Sequence, residues 1–356
     1  MITLSGILVS AALLAGPSKG PPAKRHLMPL NEILKAMQAS PVEYKLNDLD
    51  KALDVEPSTL IDVMYPLRVE PVDLPQTRWV KGKRIIDRAP CDPAMAKIHA
   101  AEPIFQAKKY AEAAPLYEEA VKLAPKCYLA YAYRGDAAFY QGMEGMALAD
   151  YDKALALNPD DGSIYVFRAN ALQHLKRYPE MLDALRWSLA LRPRNPLVLK
   201  MLHDAERPLH LTVRSVDIPF HGFARQEGDA IAIYADAKRP AWLMYASCKG
   251  FWIGEPSHRK AVLGTTEHPV SSDEELECLA ALLDAAYKFK DSPDTIQEPG
   301  MRQLTEIVQA GYAGEWIVYE LVSRESPQIV LTFSDAERQR MFEFVKRFIA
   351  VDDAAN

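Results

Sequence analysis

Cysteine is scarce, four in 356 residues, which excludes the dense disulfide framework of a small secreted domain. Glycine is sparse too, at 16. No phosphate loop, dinucleotide fingerprint, Gly-x-Ser-x-Gly elbow or His-Glu-x-x-His pair occurs. The motifs therefore assign no catalytic residue, no metal ligand and no cofactor. Basic runs are short, with Lys81-Gly82-Lys83-Arg84 and Lys24-Arg25 the longest. With a net charge of −6, the chain lacks the clustered Lys and Arg that a nucleic-acid footprint needs. No apolar run reaches the ~20 residues of a membrane-spanning helix. What remains is an ordinary globular composition, 49% hydrophobic and 25% charged. The length suits two domains, or a repeat array with a companion domain.

The most apolar stretch, Ile2 to Ala15, has the length of a secretory signal's apolar segment, with small residues at Ala15 and Gly16 near a possible cleavage point. No Lys or Arg precedes it, so the signal is a weak one. The expectation is export to a periplasmic or extracellular space with residues 1–16 removed, leaving no integral membrane span; the alternative is a cytoplasmic protein. Residues 17–26, rich in Pro, Gly, Ser and Lys, read as a linker. In residues 27–93 the pattern predicts short helices at Glu32–Gln38, Leu46–Leu53 and Ser58–Met64, then a small hairpin around Gly82. This segment is expected to cap the array that follows.

From Ala94 to Asn195 the chain repeats itself. Leu123-Ala124-Pro125, Leu157-Asn158-Pro159 and Leu191-Arg192-Pro193 recur at intervals of 34 residues. Between them runs one skeleton, Tyr131-x-x-Arg134-Gly135-x-Ala137 and then Tyr165-x-x-Arg168-Ala169-x-Ala171. A fixed period of this length with helix-forming content marks a helix-turn-helix solenoid. Small residues recur at Ala101, Gly135 and Ala169, and again at Ala113 and Ala147, where the third unit departs with Met181. Tyr117, Tyr151 and Leu185 share a third register, and Ala120, Ala154 and Ser188 a fourth. The prolines stop each second helix. Pro196 to Glu206 reads as a capping helix, with Asn195 as its cap and Pro208 ending it. Cys91 and Cys127 fall in loops one repeat apart. Helices pack ~10 Å apart, beyond the ~7 Å Cα limit for a bridge, so free thiols are expected.

These three units, 94–127, 128–161 and 162–195, resemble the tetratricopeptide repeat family over somewhat under a third of the chain. The resemblance implies a mainly α fold: a solenoid of three helix pairs plus capping helix in residues 94–207. It also implies a protein-interaction adaptor or scaffold, whose first helices line a concave groove for a partner's peptide or helix. Carried onto this sequence, the groove columns are Met95, Leu129, Ser163; Ile98, Ala132, Val166; Glu102, Asp136, Asn170; Phe105, Phe139, Gln173; and Gln106, Tyr140, His174. Some family members clamp an acidic carboxy-terminal tail with Lys, Asn and Arg at these columns. This chain has Ile98 and Glu102, then Ser163 and Phe167, at the corresponding places. The expected partner is thus another protein offering a neutral or basic, partly apolar segment. The N-terminal segment or the C-terminal domain could cover part of the groove.

Residues 208–352 are expected to form a mostly helical α+β domain of unrecognised type. Leu209 to Val213 and Asp229 to Ala235 should pair as a small β-ribbon, and capping boxes at Ser272-x-x-Glu275 and Ser334-x-x-Glu337 should open two amphipathic helices. The alternative function is an enzyme or small-ligand site in this domain, with the repeats as a docking module. It requires ionisable groups converging on a polar pocket. Cys248, His258, His268 and Cys278 are zinc-type ligands without the tight paired spacing of a zinc site. Ser257-x-x-Lys260 lacks the companion elements of the penicillin-binding enzymes.

Overall fold

The computed structural model describes residues 27–51, 60–67, 77–80, 83–86, 90–216, 218–289 and 291–353. The expected signal and linker, and the turn at Gly82, lie outside them. In chain order come α1 (Leu30–Ala39), β1 (Glu43–Asp48), α2 (Leu60–Met64) and a β2–β3 hairpin (Thr77–Val80, Lys83–Ile86). Then follow α3 (Asp92–Gln106), α4 (Tyr110–Leu123), α5 (Tyr128–Phe139), α6 (Glu144–Leu157), α7 (Gly162–His174), α8 (Tyr178–Leu191) and α9 (Pro196–Leu209). After them are β4 (Leu211–Val213), β5 (Gly222–Glu227) and β6 (Ala230–Ala235), then α10 (Pro240–Gly254), α11 (Pro256–Leu263), α12 (Ser272–Lys288) and α13 (Pro299–Gln309). The chain closes with α14 (Ala313–Ile317), a π turn, α15 (Ser323–Glu325), α16 (Asp335–Phe344) and β7 (Ala350–Asp352). The architecture is a helical solenoid with small β elements. No described helix is long and apolar enough to cross a membrane.

The chain divides into two compact units, one of Met1–Arg68 with Ser215–Ser326, the other of Val69–Arg214 with Pro327–Asn356. β1 lies where the sequence predicts a helix at Leu46–Leu53, and it pairs in parallel with β6, Glu43 opposite Ala230 and Asp48 opposite Ala235. Pairing with an already buried strand overrides the weak local helical preference. The predicted β-ribbon is also corrected. β6 pairs antiparallel with β5, whereas β4 pairs antiparallel with β7, Leu211 opposite Asp352.

In the repeat unit, α3/α4, α5/α6 and α7/α8 are the three helix pairs expected, and α9 follows with Asn195 capping the N–H groups of Leu197 and Val198. Pro208 does not end α9; the helix runs to Leu209 and stops at His210, which has a left-handed backbone. The register residues Ala113, Tyr117, Ala120, Ala147, Tyr151 and Ala154 are all at most 1% exposed. Gly135 shows why that register demands small size: a Cβ there would stand 2.8 Å from the Tyr151 ring. The turn inside each pair also repeats, with positive φ at Lys108, Gly142 and Lys176 (61°, 75° and 59°). The third pair departs from the pattern for visible reasons. Ser188 donates its hydroxyl to the Gly162 carbonyl at 2.8 Å. The neighbouring Arg186 donates to the Ala350 carbonyl, and Trp187 stacks on Phe342 at 4.6 Å. The C-terminal helix therefore occupies part of the surface that another repeat would cover.

The cysteines are not free. Cys91 is bonded to Cys127 and Cys248 to Cys278, with Cα separations of 4.5 and 5.3 Å. The spacing argument fails for the first pair because it holds for helix axes. Cys91 and Cys127 are the residues that precede α3 and α5, where the chain is bound to neither axis.

Candidate functional site

The aromatic side chains expected on the groove columns form a connected ladder. The Phe105 ring lies 5.6 Å from Tyr140, Tyr140 lies 5.5 Å from Phe139, and Phe139 lies 4.9 Å from His174. Tyr110, at the first residue of α4, extends it by stacking on Tyr140 at 4.8 Å. Tyr140 is 57% exposed, a large apolar area left in water. Tyr110 was not among the sequence candidates, yet the period contains it, because Tyr178 opens α8 at the same register.

The other candidates divide. Ile98 and Val166 are buried, at 1% and 6% exposure, and Ile98 belongs to the core of the first repeat. Those two positions hold the helices together and present little surface. Leu129 and Asn170 are partly buried, while Glu102, Gln173 and His174 are exposed. The His174 Nδ1 lies 3.2 Å from Glu144 Oε1.

Asp136, on α5, has a tyrosine as its hydrogen-bond partner. Its Oδ1 accepts a hydrogen bond from the Tyr151 hydroxyl at 2.7 Å. Burial pushes its carboxyl up to about 7, against the opposing pull of that bond. The arginines of the repeat skeleton are committed elsewhere: Arg134 forks onto Asp150 at 2.6 and 2.8 Å, and Arg168 reaches Asp152 at 2.7 Å. Above Asp136 the Tyr117 ring, 0% exposed, stacks on Tyr133 at 5.6 Å. Its hydroxyl is buried with no hydrogen-bond partner among the described residues. Burial, with Tyr133, Asp136 and Glu102 nearby, drives that hydroxyl above the ordinary tyrosine range.

The other unit also gathers ionisable groups, as the alternative function requires, but closes them on one another. Lys249 Nζ of α10 lies 2.5 Å from Glu274 Oε1 and 2.6 Å from Glu275 Oε1. Tyr65 and Tyr245 donate their hydroxyls to Glu275, and His268 Nε2 is 2.9 Å from Glu274 Oε2. Glu277 accepts from Trp252 Nε1 at 2.7 Å and from the Met28 N–H, with His258 Nε2 at 2.9 Å. Burial opposes the charge on Lys249, but Glu274 and Glu275 outweigh it and hold the ammonium above the ordinary lysine range. All three glutamates are at most 2% exposed. Because they are drawn into this network, the expected box at Ser272 is absent, and Ser271 caps α12 instead through the Asp273 N–H. The box at Ser334 is present. His258 and His268 serve carboxylates, and Cys248 and Cys278 serve each other, which leaves no zinc-type set. Among the described residues no group of His, Cys, Asp and Glu is placed to hold a metal.

A period of 34 residues realised as three helix pairs agrees with the comparisons to known proteins. Over 102 residues, 29% of this chain, the sequence is 29% identical to the "Protein STIP1 homolog" of Dictyostelium discoideum. Over 105 residues, 30% of the chain, it is 32% identical to sperm-associated antigen 1 of Mus musculus. The array of residues 94–195 is of the tetratricopeptide repeat type. The matched part spans only 18% and 12% of those two relatives. Among solved structures it is similar to the first tetratricopeptide domain of Spaghetti (RPAP3) bound to the HSP90 peptide SRMEEVD, at 23% identity and a TM-score of 0.33, covering 34% of this chain and 95% of that one. It is likewise similar to the Arabidopsis OM64 tetratricopeptide domain, at 24% identity and a TM-score of 0.31, covering 32% and 98%. No family model matches the chain.

Proposed function

We propose that the tetratricopeptide array binds another protein, taking a peptide or helix of it along the first-helix columns, and that the chain acts as an adaptor or scaffold. The observation that carries this reading is the ladder in which Tyr140 touches Tyr110, Phe105 and Phe139, and Phe139 touches His174; it runs across all three repeats and leaves Tyr140 largely in water. Exposed, closely spaced aromatics are the residue types that anchor interfaces. An acidic tail of the SRMEEVD kind suits this groove poorly. Ile98, where the clamp would place its Lys, is buried in the core, and the carboxylates of Glu102 and Asp136 would repel an acidic tail. Pull-down from lysate of the source cells, with identification of the retained proteins, tests the reading. Phe139→Ala and Tyr140→Ala are expected to remove the specific partners while the helical circular dichroism stays unchanged. Partners retained at full yield would count against the groove.

Export is part of the same proposal. It is supported by the apolar segment Ile2 to Ala15 and by the pairing of all four cysteines in two disulfides, the arrangement of proteins that fold in an oxidising compartment.

A further inference from the structure

The groove holds two groups left incomplete by the protein itself, with a second carboxylate near them. Asp136 carries one hydrogen bond, from Tyr151, and no Lys, Arg or His is paired with it among the described residues. Glu102, one repeat earlier on the same column, is exposed and likewise has no ion pair there. The hydroxyl of Tyr117 is buried and unpartnered, close enough to both carboxylates to feel their charge. Around them stand the rings of Tyr117 and Tyr133, and Phe105 with its centroid 6.3 Å from Tyr117.

A buried hydroxyl without a partner and a partly buried carboxylate without a counter-charge each cost the free protein stability. One kind of group repairs both at once: a cation with N–H donors. An ammonium or guanidinium would pair with the Asp136 carboxylate, donate to the Tyr117 oxygen and face aromatic rings that attract positive charge. Its aliphatic stem would lie along Phe105 and Tyr140. From this chemistry we infer that the partner segment inserts a lysine or arginine, flanked by apolar residues, between Glu102, Tyr117 and Asp136. This rests on the groove reading above and sharpens it.

The site is also pH-gated. The carboxyl at about 7 is about nine-tenths neutral at pH 6 and about nine-tenths ionised at pH 8, so affinity for a cation rises about tenfold between them. Tyr151 from α6 bonds Asp136, and Tyr117 from α4 feels its charge; Tyr133 from the helix of Asp136 and Glu102 from α3 act on Tyr117 in turn. His174 lies on another column of the groove and is retained in Asp136→Asn, so a pH response that disappears in this variant belongs to Asp136.

The experiment uses the full chain and two phage-displayed libraries of random 12-residue peptides, one with a fixed central Lys and one with a fixed central Glu. Selected peptides are then measured by fluorescence anisotropy at pH 6 and pH 8. The expected result is binders from the lysine library that lose at least tenfold when that Lys becomes Gln, a comparison that needs no protein variant. Their affinity should rise about tenfold from pH 6 to pH 8, and Asp136→Asn should flatten that rise. Tyr117→Phe should weaken binding by a smaller factor. Binders that lose affinity with Tyr140→Ala but tolerate Lys→Gln would overturn the cation site and leave the groove standing. Binders from neither library, or binders indifferent to Tyr140→Ala, would overturn the groove reading and the cation site together.

Discussion

Two clusters of acidic and tyrosine side chains, one in each unit, are built from similar residues and finished differently. Around Lys249, Glu275 meets an ammonium and two tyrosine hydroxyls, and Glu274 meets the same ammonium and a histidine. Around Asp136, the carboxylate meets one tyrosine, and a second tyrosine hydroxyl meets nothing. A network in which each buried charge has its partner holds a fold together and has little to offer a ligand. A network with a missing cation has paid a cost that only another molecule can return. That difference gives the first cluster a part in stability and is the ground for proposing recognition at the second.

The largest effect is expected from breaking the closed cluster. Lys249→Met would leave Glu274 and Glu275 buried without their cation, and loss of one partner from a buried pair costs about 3–5 kcal/mol. Chemical denaturation should show the loss in the unit containing α10 and α12. An unchanged midpoint would mean that the cluster is hydrated and the contrast false.

Relieving the open cluster should act in the opposite direction. The Asp136 carboxyl stands at about 7 in the fold against an ordinary 3.8. The folded protein therefore holds a proton that the unfolded chain releases, and stability falls as pH rises from about 4 to about 7. Asp136→Asn keeps an acceptor for Tyr151 and removes the charge. It should stabilise the protein by about 1–2 kcal/mol at pH 8, discounted from the full linkage value for remaining hydration, and by little at pH 4. Thermal melts at the two pH values check the sign; destabilisation at pH 8 would show that the carboxylate is already well served.

The smallest effect lies outside both clusters and sets the scale of an ordinary local gain. Lys176→Gly removes a side chain from a backbone of positive φ, matching Gly142 one repeat earlier. It should stabilise by about 0.5–1 kcal/mol at every pH, visible as a pH-independent rise in melting temperature.

The solenoid was legible in the sequence because each repeat buries the same registers: Tyr117 and Tyr151, Ala113 and Ala147, Ala120 and Ala154. The aromatics of the ladder followed from the same period. Long-range pairing left no such trace. Glu43–Asp48 shows no clean alternation of apolar and polar residues and becomes a strand through β6, nearly two hundred residues away. Leu211–Val213 looked like half of a local ribbon, but its partner is Ala350–Asp352. The disulfides were missed because sequence spacing does not show which ends of helices meet. Glu102 and Asp136 were recognised as acidic neighbours, but that Asp136 lacks a cation depended on where Arg134 and Arg168 turn. Tyr117 was read only as packing, since a period records a ring and not the fate of its hydroxyl.

The most direct measurement is the titration of the Asp136 side-chain carboxyl carbon by NMR in the full chain, free and saturated with a selected lysine peptide. The expected result is a midpoint near 7 in the free protein and a fall of at least one unit when the peptide is bound, with no such fall for the same peptide carrying Gln. A free midpoint near the ordinary 3.8, or one that the lysine peptide leaves unmoved, would contradict it.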